Sequence, residues 1–260
     1  MLPYPDIDPT LVSIGPLQIR WYGLMYVLGF MASYFLVQLQ IRKNKDTVLA
    51  THFENLNFTL MLCLILGGRL GYVLFYNFSY YIDHPAEILA TWQGGMSFHG
   101  ALIGVFLGGI WFCRTRRLNF WRTADLYVVT IPIGLGLGRI GNFINAELFG
   151  RETNLPWAMV FPGGGPNPRH PSQLYECLLE GVILFILLWK AKDRPYPAGF
   201  MLGFFLLGYG VFRIIGELFR QPDIQIGFIG ILTMGQILSM IMIVAGLMIF
   251  IVRRKQGSGF

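Results

Sequence analysis

Residues 138–150 of the chain read GRIGNFINAELFG. This stretch closes a long apolar segment and then introduces an arginine, two asparagines and a glutamate. A helical reading places five side chains on or beside one face: Arg139, Asn142, Asn145, Ala146 and Phe149. A polar stripe in an apolar helix is costly unless it lies within protein or lines a water-filled cavity. We therefore expect this stretch to form the centre of a functional site at the end of a membrane-spanning helix.

The composition of the whole chain predicts an all-α integral membrane protein. Of its 260 residues, 54% are hydrophobic and 13% are charged, and the mean hydropathy is +0.54. A soluble domain carries roughly 25% charged residues. The net charge of +6 does not indicate nucleic-acid binding, because most of the basic residues flank apolar segments.

The apolar segments predict seven transmembrane helices within a single polytopic domain covering residues 1–260. Each is close to the roughly 20 apolar residues that a bilayer requires. A connection at residues 141–172 is rich in Pro, Gly and aromatic residues and predicts a small extracytoplasmic head between spans four and five. The predicted spans are approximately 20–40, 56–76, 96–113, 124–140, 174–190, 198–217 and 230–252.

The basic residues predict the orientation of these spans. Clusters of Lys and Arg follow spans one, three, five and seven, all on one side of the membrane. By the positive-inside rule that side is cytoplasmic, so we expect the N-terminus outside and the C-terminus inside. The clusters are Arg42, Lys43 and Lys45; Arg114, Arg116, Arg117 and Arg122; Lys190, Lys192 and Arg194; and Arg253, Arg254 and Lys255.

The remaining basic residues are all arginines, and several lie in or beside spans. Arginine presents a planar fork of donors that suits phosphate. Any of them could instead pair with Glu147, Glu180 or Glu217 for structural reasons. Arg139 and Arg213 are the strongest candidates for an anionic ligand, because each interrupts an apolar run. The full set is Arg20, Arg69, Arg139, Arg151, Arg169, Arg213 and Arg220.

Other polar residues are predicted at the outer ends of spans. Tyr209, Arg213, Glu217 and Arg220 have the spacing of one helical face, which in a membrane helix favours a cavity. His99 could act as a general base, although a hydrogen-bonded structural histidine is equally consistent with the sequence.

Neither a metal site nor a cofactor is predicted, because the sequence lacks an HExxH motif, a Ser/His/Asp arrangement and clustered carboxylates. The three cysteines, Cys63, Cys113 and Cys177, lie in or beside apolar runs and are expected to pack as small hydrophobic side chains. Glycines at four-residue spacing predict close helix packing: Gly67/Gly71, Gly100/Gly104/Gly108, Gly134/Gly138 and Gly199/Gly203.

Five sequence blocks together resemble the bacterial phosphatidylglycerol–prolipoprotein diacylglyceryl transferase family. They follow the family's order and cover essentially the whole chain. The blocks are WYGLMY at residues 21–26, GGMSFHG at 94–100, GRIGNFINAELFG at 138–150, HPSQLYE at 170–176, and residues 212–223 from Phe212-Arg213 through Arg220-Gln-Pro-Asp223.

The resemblance implies an enzyme of the bacterial inner membrane. It would transfer the diacylglyceryl group of phosphatidylglycerol to the lipobox cysteine of a preprolipoprotein and release glycerol 1-phosphate. Arg139 and Arg213 would hold the lipid headgroup, and His99 is our first choice for assisting thiol deprotonation. Tyr22 is a further catalytic candidate at a family position. The other positions, expected to bind substrate and shape the site, would be Asn142, Asn145, Glu147, Gly150, Tyr209 and Glu217, with Arg220 on the same helical face.

Two other classes of protein remain to be weighed. A lipid or solute transporter could also carry intramembrane Arg and Glu, but we find no inverted repeat of the kind that many transporters show. A receptor-like protein with seven spans does not explain the concentration of Arg, Asn, His and Glu at one face. The sequence therefore favours the enzyme.

Overall fold

The computed structural model describes residues 2–5, 7–15, 17–91, 94–222 and 228–257, so Asp223 of the last sequence block lies outside the described residues. The described part is mostly helical, with two short antiparallel hairpins, so the all-α prediction is confirmed only in its coarser form. The hairpins are β1 (Thr10–Ile14) with β2 (Leu17–Arg20) and β3 (Phe228–Ile229) with β4 (Leu232–Thr233). The helices are α1 (Trp21–Lys43), α2 (Thr47–Phe75), α3 (Phe78–Asp83), α4 (Phe98–Thr115), α5 (Phe120–Val128), α6 (Ile131–Ile144), α7 (Ser172–Glu176), α8 (Leu184–Ala191), α9 (Phe200–Glu217) and α10 (Met234–Gly257), with a 3₁₀ turn at Pro85–Leu89 and a π-helical segment at Cys177–Ile183.

Among the described residues, five helices are long and apolar enough to cross a membrane: α1, α2, α4, α9 and α10. Helices α5 and α6 give a sixth crossing if they form one span, with a bend of 40° between them. The predicted span at 174–190 is not in this set. Its residues belong to α7, the π-helical segment and α8, which follow one another without a gap. A multi-pass membrane protein is therefore confirmed, whereas the count of seven is not.

The bend between α5 and α6 has a local cause. Pro132 lies in the first turn of α6, where its missing N–H is tolerated, but it cannot continue the hydrogen-bond ladder of α5. The Thr130 hydroxyl donates to the carbonyl of Tyr127 at 2.7 Å and lies 2.7 Å from the hydroxyl of Ser33 on α1. The predicted span at 124–140 is therefore two helices, and the second carries Arg139.

The chain divides into two compact units. One comprises residues 38–123 and the other comprises residues 1–37 and 124–260. In the first unit α2 packs closely against α4 along glycines. A Cβ on Gly104 would lie 2.2 Å from the carbonyl oxygen of Cys63, and one on Gly100 would lie 2.3 Å from that of Gly67. The packing role predicted for these glycines is confirmed.

In the second unit α6 approaches α1 at the predicted Gly134, since a Cβ on Gly29 of α1 would lie 3.0 Å from the Cα of Gly134. A Cβ on Gly134 itself or on Gly138 would meet nothing within 4 Å. A Cβ on Gly136 would lie 3.1 Å from the Cα of Gly181, in the π-helical segment. Close packing is therefore confirmed at Gly134, whereas the approach at Gly136 was not predicted from the glycine spacing.

Helix α9 is fixed at its start by a side chain from α5. Asp125 accepts hydrogen bonds from the backbone N–H groups of Gly199 at 2.6 Å and Leu202 at 2.9 Å. These groups belong to the first turn of α9, where N–H donors lack helical partners. Apolar residues of α8 and α9 then build the core beside them: Leu184, Leu188, Met201 and Phe205, with Val128 and Val129.

Residues 145–171 form an irregular segment held by isolated β-bridges. Arg169 pairs with both Glu152 and Met159, and Gly150 pairs with Arg220. An aromatic cluster ties the segment to the N-terminal residues. The Tyr4 hydroxyl donates to the carbonyl of Phe143 at 2.6 Å, and its ring lies 5.1 Å from that of Phe161.

Candidate active site

The polar stripe on α6 is shorter than the sequence predicts. Helix α6 ends at Ile144 with Asn145 as its cap, so only Arg139 and Asn142 project from regular helix. Ala146 and Leu148 both have positive φ, of 53° and 57°, which turns the chain away from the helix axis. Continuing the helical face to Ala146 and Phe149 was therefore wrong. Phe149 instead joins the aromatic cluster with Phe161.

The turn after α6 is organised around Glu147. Its carboxylate accepts hydrogen bonds from the side-chain amides of Asn142 at 2.7 Å and Asn145 at 3.3 Å. Its backbone carbonyl accepts from the amide of Gln173 on α7 at 2.7 Å. Glu147 itself is exposed, whereas Asn142 is buried. These contacts hold the end of α6 against the start of α7.

Arg139 and Arg213 converge on the same two carboxylates, which belong to Glu176 and Glu180 (the glutamate pair). Arg139 reaches Glu176 at 2.7 Å and Glu180 at 3.5 Å. Arg213, which comes from α9, reaches Glu176 at 3.0 Å and Glu180 at 3.6 Å. The structure therefore brings together the two arginines that the sequence singled out.

Two further residues predicted for the site extend this group into an arginine–glutamate cluster of six side chains. Arg213 donates to the carboxylate of Glu217, and Arg220 lies 3.7 Å from the same carboxylate. The Thr233 hydroxyl donates to Glu217 at 2.8 Å. The members of the cluster are Arg139, Arg213, Arg220, Glu176, Glu180 and Glu217.

The cluster is deeply buried but not saturated with hydrogen bonds. Glu180 is fully buried, and neither of its carboxylate oxygens has a hydrogen-bond partner among the described residues. Oε1 of Glu176 and Nη1 of Arg213 also form no hydrogen bond of good geometry with the described residues, although these two atoms lie 3.0 Å apart as an ion pair. Native proteins satisfy the great majority of buried polar atoms, and exceptions call for an explanation. We interpret this spare capacity as a mark of a functional site.

Tyr22 lies against the helix that carries Arg139. A Cβ on Gly141 would lie 2.7 Å from the Tyr22 ring, so the ring occupies the space left by the missing side chain. The hydroxyl of Tyr22 is 3.0 Å from that of Tyr26 on the next turn of α1. Tyr26 interacts electrostatically with Arg139 and Glu147. Tyr26 is thus a second hydroxyl near the site that was not among the predicted residues.

Tyr209 and Gly150 also lie in the unit that carries the cluster. Tyr209 stands one helical turn before Arg213 and interacts electrostatically with the glutamate pair and with both arginines. Gly150 is fixed by close backbone approach, since a Cβ there would lie 2.6 Å from the carbonyl oxygen of Phe219. Its contact with the end of α9 sets the position of Arg220.

His99 belongs to the other compact unit, the one comprising residues 38–123. It is the second residue of α4, and its side chain is exposed. Ser97 caps this helix by accepting a hydrogen bond from the N–H of Gly100 at 3.2 Å. A role for His99 as a base stays a prediction.

The sequence identified Glu180 as a possible arginine partner, but it did not identify Glu176 or the sharing of the glutamate pair by two arginines. Glu176 and Glu180 stand four residues apart in an apolar run, and this spacing places both on one helical face. That signal was available in the sequence.

A group formed by Trp157, Tyr175 and His170 was also missed. In it the Trp157 indole donates to the Tyr175 hydroxyl at 2.6 Å, and burial lowers the pKa of His170.

The described part of the chain contains no group of side chains arranged to bind a metal ion. No three His, Cys, Asp or Glu side chains there are grouped as metal ligands would be. The carboxylates of the cluster are instead engaged with arginines.

These features define the class of protein: a multi-pass membrane protein with a buried arginine–glutamate site. Residues 9–252 match the family described as prolipoprotein diacylglyceryl transferase. The chain is 61% identical to the phosphatidylglycerol–prolipoprotein diacylglyceryl transferase of Desulfotalea psychrophila, over 97% of this chain and 95% of that one. It is 49% identical to the enzyme of that name from Geobacter sulfurreducens (98% and 99% covered) and 50% identical to that of Vibrio parahaemolyticus (98% and 94% covered). The chain therefore belongs to the prolipoprotein diacylglyceryl transferase family, and the predicted family is confirmed.

Proposed function

We propose that this protein transfers the diacylglyceryl group of phosphatidylglycerol to the cysteine thiol of a prolipoprotein, in the first step of lipoprotein maturation. The observation that carries the proposal is the convergence of Arg139 and Arg213 on one buried glutamate pair, in a chain of this family. The names of the relatives state this reaction, and the arginines of the cluster are suited to binding an anionic headgroup.

The two arginines are the proposed phosphate ligands. Arginine binds phosphate oxygens through parallel N–H donors, and such charge-assisted hydrogen bonds are about twice as strong as neutral ones. Arg139 and Arg213 come from different helices, so their forks can approach one phosphate from two directions. In a site that excludes water, fixed donors of this kind stabilise charge most effectively where it develops during the reaction.

The reaction exchanges one bond for another at a glycerol carbon. The cysteine thiolate attacks the carbon that carries the phosphate, a C–S bond forms, and the C–O bond breaks. Glycerol 1-phosphate leaves with the bonding electron pair, and its phosphate turns from a diester into a monoester. A free cysteine has a pKa of about 8.5, so a base must take up the thiol proton. His99 is the proposed base, and no covalent intermediate on the protein is required.

The remaining site residues are proposed to shape the headgroup site rather than to react. Asn142, Asn145 and Glu147 hold the turn that follows Arg139 through the hydrogen bonds described above. Glu217 anchors Arg213 and Arg220. Tyr22 and Tyr209 supply hydroxyl groups in the same unit, and Gly150 keeps the backbone of 219–220 close.

We further propose that the chain crosses the bacterial inner membrane seven times, with the N-terminus outside. Five long apolar helices, the bent pair α5–α6 and the helical stretch Ser172–Ala191 would supply the spans. Basic residues in the last turns of α1, α4 and α8 support a cytoplasmic location for those ends. Residues 141–172 would then form a head on the outer side, and both substrates would enter laterally from the membrane.

The activity is tested by incubating the purified protein with phosphatidylglycerol and a peptide that contains a lipobox cysteine. Mass spectrometry should detect a peptide whose mass has increased by one diacylglyceryl group, together with free glycerol 1-phosphate. A peptide whose cysteine is replaced by serine is the matched control. No adduct from a folded protein in competent detergent would sink the proposal. Movement of unaltered lipid across liposomes would favour a transporter.

A further inference from the structure

Each glutamate of the pair does more than neutralise the charge of one arginine. Each of its two carboxylates contacts both Arg139 and Arg213, with separations between 2.7 and 3.6 Å. Because the arginines lie on different helices, the pair acts as a bridge between α6 and α9. The position of one guanidinium group is therefore coupled to the position of the other.

Close helix packing enforces this bridge. Gly136 stands one turn before Arg139, and a Cβ on Gly181 would lie only 2.7 Å from the Cα of Gly136. Gly216 follows Arg213 by three residues on α9, and a Cβ there would lie 3.2 Å from Cγ of Glu176. Glycine on each arginine-bearing helix thus lets the glutamates reach both guanidinium groups, and a larger residue would separate them.

The same contacts impose a conflict on any anionic ligand. When all four side chains are ionised, the charges of the glutamate pair balance those of Arg139 and Arg213. A phosphate must then compete with carboxylates for the arginine donors, in a buried site where electrostatic interactions are weakly screened. The contacts of Glu180, at 3.5 Å to Arg139 and 3.6 Å to Arg213, are longer than those of Glu176 at 2.7 and 3.0 Å, so the arginine donors are held unequally by the two carboxylates. The bridge therefore fixes the geometry of the arginines but weakens their hold on the phosphate.

We propose that Glu176 and Glu180 are positioning residues that bridge Arg139 and Arg213 in the geometry needed for turnover, at the expense of affinity for the lipid phosphate. The proposal rests on the proposed function, because it assumes that these arginines bind the headgroup. It predicts that removing either carboxylate charge raises affinity for a phosphate ligand and lowers the rate of transfer. A residue with a merely structural role would lower both together.

The test compares Glu176→Gln and Glu180→Gln with the wild-type protein. Two quantities are measured: thioether formation in mixed micelles, and binding of glycerol 1-phosphate by titration calorimetry. We expect kcat to fall by about 10- to 100-fold, because the arginines lose their alignment. We expect glycerol 1-phosphate to bind about threefold more tightly or better, because one repulsive charge is gone. The KM for phosphatidylglycerol should also fall, as expected for tighter binding of its phosphate.

The matched control is Glu152→Gln, which removes a carboxylate that pairs with Arg169 at 3.2 Å and is not a member of the cluster. It should leave both quantities within about twofold of the wild type, as expected for a half-exposed ion pair. Unchanged kcat and affinity in both glutamine variants would overturn the proposal. A parallel loss of rate and affinity in folded variants would also overturn it.

Aspartate variants keep the proposal testable if a glutamine variant fails to fold. Glu176→Asp and Glu180→Asp retain the charge but shorten the reach by one methylene group. They should lose turnover without gaining phosphate affinity, and tighter binding in them would contradict the role of charge. Failure of the proposed function has a separate signature, since the wild-type protein itself would then form no thioether.

Discussion

Two buried arginines in this protein, Arg69 and Arg213, are held in contrasting ways. Arg69 on α2 is 4% exposed, and its hydrogen bonds to described residues all go to backbone carbonyls, those of Ile88 and Glu87 at 2.8 and 2.7 Å and of Gly94 and Gly95 at 2.6 and 3.2 Å. Its guanidinium group also lies 5.2 Å from the centre of the Tyr81 ring. Each of its terminal nitrogens is satisfied by groups that cannot change their charge.

Arg213 is 8% exposed, yet its partners are carboxylates that it shares with other arginines. Its Nη1 lies 3.0 Å from Glu176 and 3.6 Å from Glu180, but among the described residues it forms no hydrogen bond of good geometry. The comparison teaches that burial alone does not identify a ligand-binding arginine. The informative property is whether its partners are fixed backbone groups or side chains whose contacts an anion can replace.

The largest effect is expected from replacing the guanidinium groups of Arg139 and Arg213. Arg139→Lys and Arg213→Lys keep the positive charge but lose the planar pair of N–H donors. We expect kcat/KM for thioether formation to fall by about 100-fold in each, since one transition-state donor is worth about 100- to 1,000-fold in rate. Alanine at either position should abolish the product. Full turnover in any of these folded variants would remove that arginine from the proposed phosphate site.

The second prediction applies the lysine substitution to Arg69, the arginine that is held by backbone carbonyls. Arg69→Lys leaves several backbone carbonyls of the 87–95 segment without a partner, at a cost of roughly 1–3 kcal/mol for each buried group. The melting temperature of the purified protein should fall by roughly 5 °C or more. The rate per folded molecule should fall by less than about tenfold. A loss of rate as large as that in Arg213→Lys, without loss of stability, would erase the contrast.

A smaller effect is expected from moving Tyr22 away from α6. The Cβ of Gly141→Ala would lie 2.7 Å from the Tyr22 ring, so the ring must shift. Overpacking of this kind costs roughly 1–3 kcal/mol, and kcat should fall by about tenfold if the shift reaches Arg139. Gly134→Ala on the same helix is the matched control, because its Cβ meets nothing within 4 Å. Equal behaviour of the two variants would show that the Tyr22 contact has no role.

The smallest effect is expected at the cysteines. The proposed reaction uses the thiol of the peptide, so a protein with Cys63, Cys113 and Cys177 all replaced by serine should keep kcat within about threefold of the wild type. Activity is measured by the same mass-spectrometric assay, with melting temperature as the control for folding. A folded but inactive triple variant would point to a covalent route through a cysteine of the enzyme.

Much of the site could be predicted from the sequence because charge in an apolar helix is conspicuous. Arg139 and Arg213 interrupt apolar runs, and the structure brings them together. Glu180 was expected as a possible arginine partner, but the sharing of Glu176 and Glu180 by both arginines could not be predicted, since it depends on the approach of Gly136 to Gly181. Such packing is a tertiary property that the sequence spacing of glycines does not specify.

The limits of prediction in the fold have equally local causes. The end of α6 at Ile144 depends on positive φ at Ala146 and Leu148, which neither residue type favours. Hydropathy predicted one span at 124–140, but Pro132 divides it into two helices. The apolar run at 174–190 contains a π-helical segment that periodicity did not reveal.

The most direct test of the two-arginine phosphate site is inhibition of thioether formation by glycerol 1-phosphate. Arg139→Lys and Arg213→Lys retain enough activity for this measurement if they lose about 100-fold in rate. The glycerol 1-phosphate concentration that gives half-inhibition should rise about tenfold or more in both variants, while Arg69→Lys should keep the wild-type value. An unchanged value in both cluster variants would contradict the two-arginine site, because the phosphate would then be held elsewhere.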